Sequence, residues 1–229
     1  MGSDDLFKKR KGAKKKRKES IRERAPYRYL IVCEGGKTEP NYFEGIKRKV
    51  EAKYRDKIDV KNKIELEIKG TGRNTEDLVD YTIKLRSLSE IPYGHTWVVF
   101  DKDDFTDEQF NNAIRKAQNS DIDVAWSNES IELWFVLHFE YLHSAIRRYQ
   151  YIEKLNEHFT AKSINNGKYH KNLNNIFDIL CKNGNIKEAI RRSEKLRKYY
   201  EEQGVTSEAN MNPCTNVDRL VEELLQYFE

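Results

Sequence analysis

The chain has 229 residues, 38% of them hydrophobic and 35% charged, with a formal net charge of +4. That length allows one well-buried core with a smaller helical annex. No apolar run approaches the ~18 residues that span a bilayer, the N-terminus lacks the apolar core of a secretory signal, and three scattered cysteines, Cys33, Cys181 and Cys214, make neither a disulfide framework nor a metal knuckle, so a cytoplasmic protein without membrane contact is expected.

The charge is unevenly placed. Residues 1–24 carry eleven Lys/Arg and four Asp/Glu, 11 − 4 = +7, which leaves 4 − 7 = −3 for the remainder. A run such as Lys14, Lys15, Lys16, Arg17 and Lys18 repels itself and cannot build a core. Residues 1–25 are therefore expected to be a disordered basic arm, which either grips nucleic-acid phosphates without reading sequence or serves as a solubilising tail.

Residues 26–141 read as an α/β core. Tyr27–Cys33 reads as the first strand, and its short, non-alternating apolar run Tyr29–Cys33 is the pattern of a parallel strand buried on both faces. Gly35-Gly36 makes a tight loop, and Thr38 caps a helix over Glu39–Ala52, with Pro40 tolerated in its first turn. Lys61–Lys69 alternates at Ile64, Leu66 and Ile68 as a half-buried strand. Gly70-Thr71-Gly72-Arg73-Asn74 is a turn that could also cradle a phosphate, although no Gly-Lys-Ser/Thr follows to make it a P-loop. The next helix carries an apolar stripe of Leu78, Thr82, Leu85 and Leu88. His95–Phe100 is the third strand, residues 107–119 a helix, and Ile122–Trp126 the fourth strand, with Ser127-Asn128 expected to cap the helix that follows.

Four β-α units in succession predict an open, mainly parallel four-stranded sheet flanked by helices. Strand signals stop near residue 142, and residues 142–229 read as a helical annex packed on the core. Its expected apolar faces are Ile146/Tyr149/Ile152/Leu155/Phe159, Leu173/Ile176/Phe177/Leu180 and Ala189/Ile190/Ser193/Leu196. The last is Val217/Leu220/Val221/Leu224/Leu225/Phe228, with Thr215 and Asp218 as an acidic capping box.

Two strands end in acid: Glu34 follows the first, and Asp101-Lys102-Asp103-Asp104 follows the third. Ligands in such sheets sit just past the carboxyl ends of the strands. In extended chain Asp101 and Asp103 point the same way, and Glu34 joins them if its strand is a neighbour. Three carboxylates without His or Cys suit Mg²⁺, which assists phosphoryl transfer. The alternative is a solvated turn. Ile131–Phe139 should be a buried helix interrupted by Glu132 and His138, whose directions differ by about 120°. Glu132 is either a fourth metal-site acid or an internally bonded residue, and His138 is expected to be a satisfied core histidine. Gly35, Lys37, Ser127 and Asn128 lie where a substrate phosphate could be held. Lys168-Tyr169-His170-Lys171 suits nucleic-acid contact or an ordinary loop.

Ile31–Phe43, with Glu34-Gly35-Gly36-Lys37-Thr38-Glu39-Pro40 at its centre, resembles the opening motif of the RloB-like family. Val98–Phe105, Ser127–Phe139 and Asn212–Val217 resemble three further motifs of that family. The resemblance implies a compact Toprim-like fold, in which Glu34, Asp101 and Asp103 take the positions of the catalytic, metal-holding acids. It also implies an effector of bacterial anti-phage defence of the abortive-infection kind, often beside an ATPase partner. The expected activity is Mg²⁺-dependent cleavage of phosphodiesters in RNA such as tRNA, or in DNA, with Mn²⁺ as a substitute. The competing expectations are a non-catalytic binding or sensor subunit of an ATPase-containing complex, and a nucleic-acid clamp driven by the arm. Homo-oligomerisation is left open.

Overall fold

The computed structural model describes residues 25–54 and 64–228. The basic arm, apart from Ala25, and the first part of the expected Lys61–Lys69 strand lie outside the described residues. The elements in chain order are β1 (Ala25–Cys33), α1 (Thr38–Tyr54), β2 (Glu65–Gly70), α2 (Thr75–Leu88), β3 (Tyr93–Asp101), α3 (Asp107–Asn119) and β4 (Asp123–Asn128). Then follow α4 (Glu132–Leu137), α5 (Arg148–Ala161), α6 (Ile176–Asn183), α7 (Ile186–Glu202), β5 (Cys214–Thr215) and α8 (Val217–Leu225).

The sheet order is β2-β1-β3-β4-β5. β1 pairs in parallel with β2 and β3, and β3 in parallel with β4. Tyr29 through Cys33 have no exposed surface, and Val98 through Phe100 have almost none. Their continuous apolar character follows from having helices on both faces of a parallel sheet.

The sheet has five described strands rather than four. The fifth, Cys214–Thr215, runs antiparallel to β4 through Ser127↔Thr215 and Asn128↔Cys214. Asn216 extends the pairing with its side chain: Oδ1 accepts from Trp126 N–H at 2.6 Å and Nδ2 donates to Val124 O at 3.0 Å. A side-chain amide thus covers an edge that would otherwise expose unpaired backbone groups. Two residues give no period-two pattern to read, which is why the strand escaped sequence analysis.

Four other expectations are corrected. Ser127 and Asn128 close β4 instead of capping a helix. Thr215 and Asp218 form no capping box; Asn216 precedes α8, and Asp218 is turned to an ion pair with Arg197. Leu88 ends α2 and is 70% exposed, so it does not belong to a buried stripe. Tyr149 sits outside the buried face of α5, which is Tyr151, Leu155 and Phe159.

Of the annex helices, α7 and α8 meet strands β5 and β4, while α5 and α6 lie against helices α4 and α1. α6 lies close against α1: a Cβ at Gly45 would stand 2.3 Å from Phe177 Cβ, so only glycine permits that approach. α8 covers β4 with Val217, Leu220, Val221 and Leu224, all fully buried.

Candidate active site

The chain passes from β1 to β2 on one side and then returns to place β3 on the other side of β1. The crevice between β1 and β3 is therefore the point where strand order reverses, the place where open α/β sheets bind ligands. Glu34 stands at the carboxyl end of β1 and Asp101 at the carboxyl end of β3. The ladder continues past Cys33, because Glu34 N–H donates to Val99 O at 2.9 Å. The Glu34 carboxylate then accepts from the Asp101 amide at 3.2 Å and from the Thr75 hydroxyl at 3.4 Å. Glu34 and Asp101, 67 residues apart, thus meet because their strands are neighbours.

More acids converge on this point. Glu39 in the first turn of α1, Asp101 and Glu132 are 5%, 4% and 0% exposed. Glu39 reaches the site because Gly35 has no side chain: a Cβ there would stand 2.1 Å from Glu39 Oε2. Glu132 Oε1 accepts from the Tyr169 hydroxyl at 3.2 Å. Arg148, the first residue of α5, faces the acids. Its guanidinium pairs with Asp103 in a short contact, lies 3.8 Å from Asp101 Oδ2 and 4.0 Å from Glu132 Oε2. Asp101 Oδ1, Glu132 Oε2 and Arg148 Nε are buried without a hydrogen-bond partner.

The electrostatics follow from burial among like charges. Burial pushes the Glu34 carboxyl up to about 7, the Asp101 amide opposing the shift and Glu39 adding to it. Asp101 is raised well above the usual carboxylate range by burial, then by Glu39 and Glu132, with Arg148 opposing. Glu39 is raised by burial, and Glu132 adds to it. Strongly perturbed acids gathered in one crevice make it the candidate functional site.

Gly35 lies in the loop beside the acids, and Lys37 is exposed nearby. The structure does not bring the Ser127 and Asn128 side chains to the crevice with them. Ser127 Oγ bonds Thr215 Oγ1 at 3.0 Å, and Asn128 Nδ2 donates to Ala209 O at 2.8 Å. His138 is a core residue, buried against Trp134 with its Nδ1 2.9 Å from Trp134 O, but its Nε2 has no partner, so it is not the fully satisfied histidine expected. Lys14, Lys15, Lys16, Arg17 and Lys18 lie outside the described residues.

Sequence reading missed Glu39, Arg148 and Tyr169 as site residues. Glu39 was visible only as the start of a helix and as part of the opening motif, and Tyr169 only as part of a basic, aromatic stretch. Arg148 carried no signal, because the chain after α4 brings it back from far along the sequence.

Beside the acids opens a groove of about 580 Å³ lined by Asp103, Glu129, Arg147, Arg148, Tyr149 and Lys171. Arg147 and Tyr149 are well exposed within it, the latter at 61%. Among the described residues no group of three or more His, Cys, Asp or Glu is already arranged to hold a metal ion. The donor set nevertheless suits a hard cation. It is made of carboxylate oxygens, and two of them, Asp101 Oδ1 and Glu132 Oε2, are buried and unpartnered.

The comparisons agree with the motifs. Neither the curated proteins nor the solved structures held a match. The model of the RloB-like protein family matches residues 29–224, most of the chain. That span takes in both acidic strand ends, the buried α4 segment and the β5 strand, so the chain belongs to the RloB-like family.

Proposed function

We propose that the protein is a Mg²⁺-dependent nuclease of Toprim type that cleaves phosphodiesters in RNA such as tRNA, or in DNA. The observation that carries this reading is the meeting of Glu34 and Asp101 at the crevice where strand order reverses, with a buried Asp101 oxygen left unpartnered. Asp101, Asp103 and Glu34 would hold the ion, with Glu132 as a fourth acid and Mn²⁺ as a substitute. Bound there, the metal would polarise the scissile phosphate and the water that attacks it.

The chain's own residues do the rest. The Asp101 amide and the Thr75 hydroxyl fix the Glu34 carboxylate in place, where it assists proton transfer or holds the ion. Arg147 and Lys171 offer the groove positive charge for phosphates, and exposed Tyr149 offers a face for a base. In the cell we place this activity in the cytoplasm, as an effector of abortive anti-phage defence working with an ATPase partner.

A second reading has one observation behind it. Arg148 already answers the acids with a cation, as it would in a non-catalytic binding or sensor subunit. Purified protein incubated with labelled tRNA and DNA in Mg²⁺, Mn²⁺ or EDTA separates the two. The expected result is metal-dependent cleavage that is lost in Glu34→Gln and in Asp101→Asn/Asp103→Asn. Cleavage that persists in both variants would sink the acidic-site assignment. Absence of cleavage, with the ATPase present as well as alone, would favour the sensor.

A further inference from the structure

Arg148 holds the acids in a way that looks built for release. Three carboxylates, Asp101, Asp103 and Glu132, lie within 4.0 Å of its guanidinium. Only the contact to Asp103 is a hydrogen bond. The separations from Asp101 and Glu132 exceed hydrogen-bonding distance, and Nε, Asp101 Oδ1 and Glu132 Oε2 are all buried without partners. A buried charge cluster in its final state satisfies its donors and acceptors. This one leaves two hard oxygens and one N–H unused, with Nε 4.0 Å from Glu132 Oε2.

We infer that Arg148 is the acidic site's resident counter-ion, that a divalent cation displaces it, and that the freed guanidinium then takes a substrate phosphate in the adjoining groove. This inference rests on the metal reading proposed above. Three features favour it. Like a divalent metal ion, the guanidinium neutralises the buried acids, so both compete for the same carboxylates. The side chain is 33% exposed and lines the groove together with Arg147 and Lys171. The backbone is anchored independently, since Arg148 N–H donates to Glu129 Oε2 at 2.9 Å, so the side chain can swing while α5 stays in place. Arginine's planar fork suits phosphate once it leaves the carboxylates.

The exchange makes metal and substrate binding mutually reinforcing. A metal that must first expel Arg148 binds more weakly by the fraction of time the site is free. A phosphate that captures the arginine returns that affinity, and the coupling is reciprocal.

Manganese binding, read from the loss of the free Mn²⁺ electron-paramagnetic signal, tests this without any cleavage assay. Wild type is compared with Arg148→Met, Arg148→Gln and Asp101→Asn. Both arginine variants are expected to bind Mn²⁺ about tenfold more tightly, or better, than wild type. Mn²⁺ should also tighten wild-type binding of a short phosphorothioate strand, and fail to do so in the arginine variants. If either variant does not fold, wild type alone decides. Mn²⁺ should raise the reactivity of Arg148 toward phenylglyoxal, mapped by mass spectrometry, and unchanged reactivity would overturn the exchange. Equal Mn²⁺ affinity in wild type and arginine variants, lost in Asp101→Asn, would leave the metal site standing and overturn the arginine exchange. Mn²⁺ binding by none of these proteins would remove the metal reading itself, and the exchange with it.

Discussion

His138 shows what burial does to a single titratable side chain. Its Nδ1 is 2.9 Å from Trp134 O, its Nε2 has no partner, and its ring meets Trp134 edge-on at 4.9 Å. Burial, with Arg192 adding, lowers its pKa from 6.5 to about 4. Between these values the unfolded chain binds a proton that the native state refuses, so stability falls as the pH drops from about 6.5 to about 4. The fully developed loss is on the order of 3 kcal/mol. In urea titrations the stability gap between wild type and His138→Gln should shrink on acidification through that window. A gap that stays constant would show that His138 does not carry this linkage. This histidine was readable from sequence as a core residue, because it interrupts an otherwise apolar run. Arg148 was not readable, because nothing local distinguishes it from Arg147, which is exposed one position earlier. What separates them is which way α5 begins relative to the sheet, and that is a tertiary fact.

At the scale of elements, the two strands that build the crevice were legible because both of their faces are buried. A strand covered on both sides must be apolar at every position, and Tyr29–Cys33 and Trp97–Phe100 are. The acid that ends each run then stands out. β5 was illegible because its pairing depends on the buried bonds of Thr215 and Asn216 to β4 and on the helices that hold it there. Chief among those fixings is Asp218, 1% exposed, which receives Arg197 Nη1 at 2.5 Å, Arg197 Nη2 at 2.6 Å and Ser193 Oγ at 2.7 Å. Arg197 also donates to Thr215 O at 2.8 Å, so one guanidinium joins α7, β5 and α8. Removing one partner leaves the other buried and uncompensated, which typically costs about 3–5 kcal/mol. Arg197→Met and Asp218→Leu should each lower the urea midpoint strongly. The double variant should recover much of the loss, since neither charge is then stranded. A double variant as weak as the sum of the singles would mean that the two side chains act independently and that neither single variant strands a charge.

At the scale of the whole molecule, charge is divided between two regions. Residues 1–24 carry +7 by the count 11 − 4, and the rest of the chain carries −3 by the count 4 − 7. The crevice itself concentrates buried carboxylates, so by Coulomb's law it opposes a polyanion, and exposed Arg147 and Lys171 only partly offset this at the groove. On the nuclease reading proposed above, a nucleic-acid substrate therefore needs an attractive term from elsewhere. The arm, which lies outside the described residues, supplies enough charge to provide it. Phosphate neutralisation by an arm shows itself in salt dependence: the slope of log affinity against log salt steepens by about 0.7 for each phosphate neutralised on a single strand and by about 0.9 on duplex DNA. Deleting residues 1–24 should weaken binding several-fold at low salt, flatten that slope, and leave the melting of the sheet domain unchanged. If the truncated protein bound with an unaltered slope, the arm would be a solubilising tail. If binding vanished at every salt concentration, the groove would contribute nothing and the arm alone would be the nucleic-acid clamp. An intermediate slope divides the work: the arm recruits the polyanion, and the groove residues Arg147, Tyr149 and Lys171 set which phosphate reaches the acids.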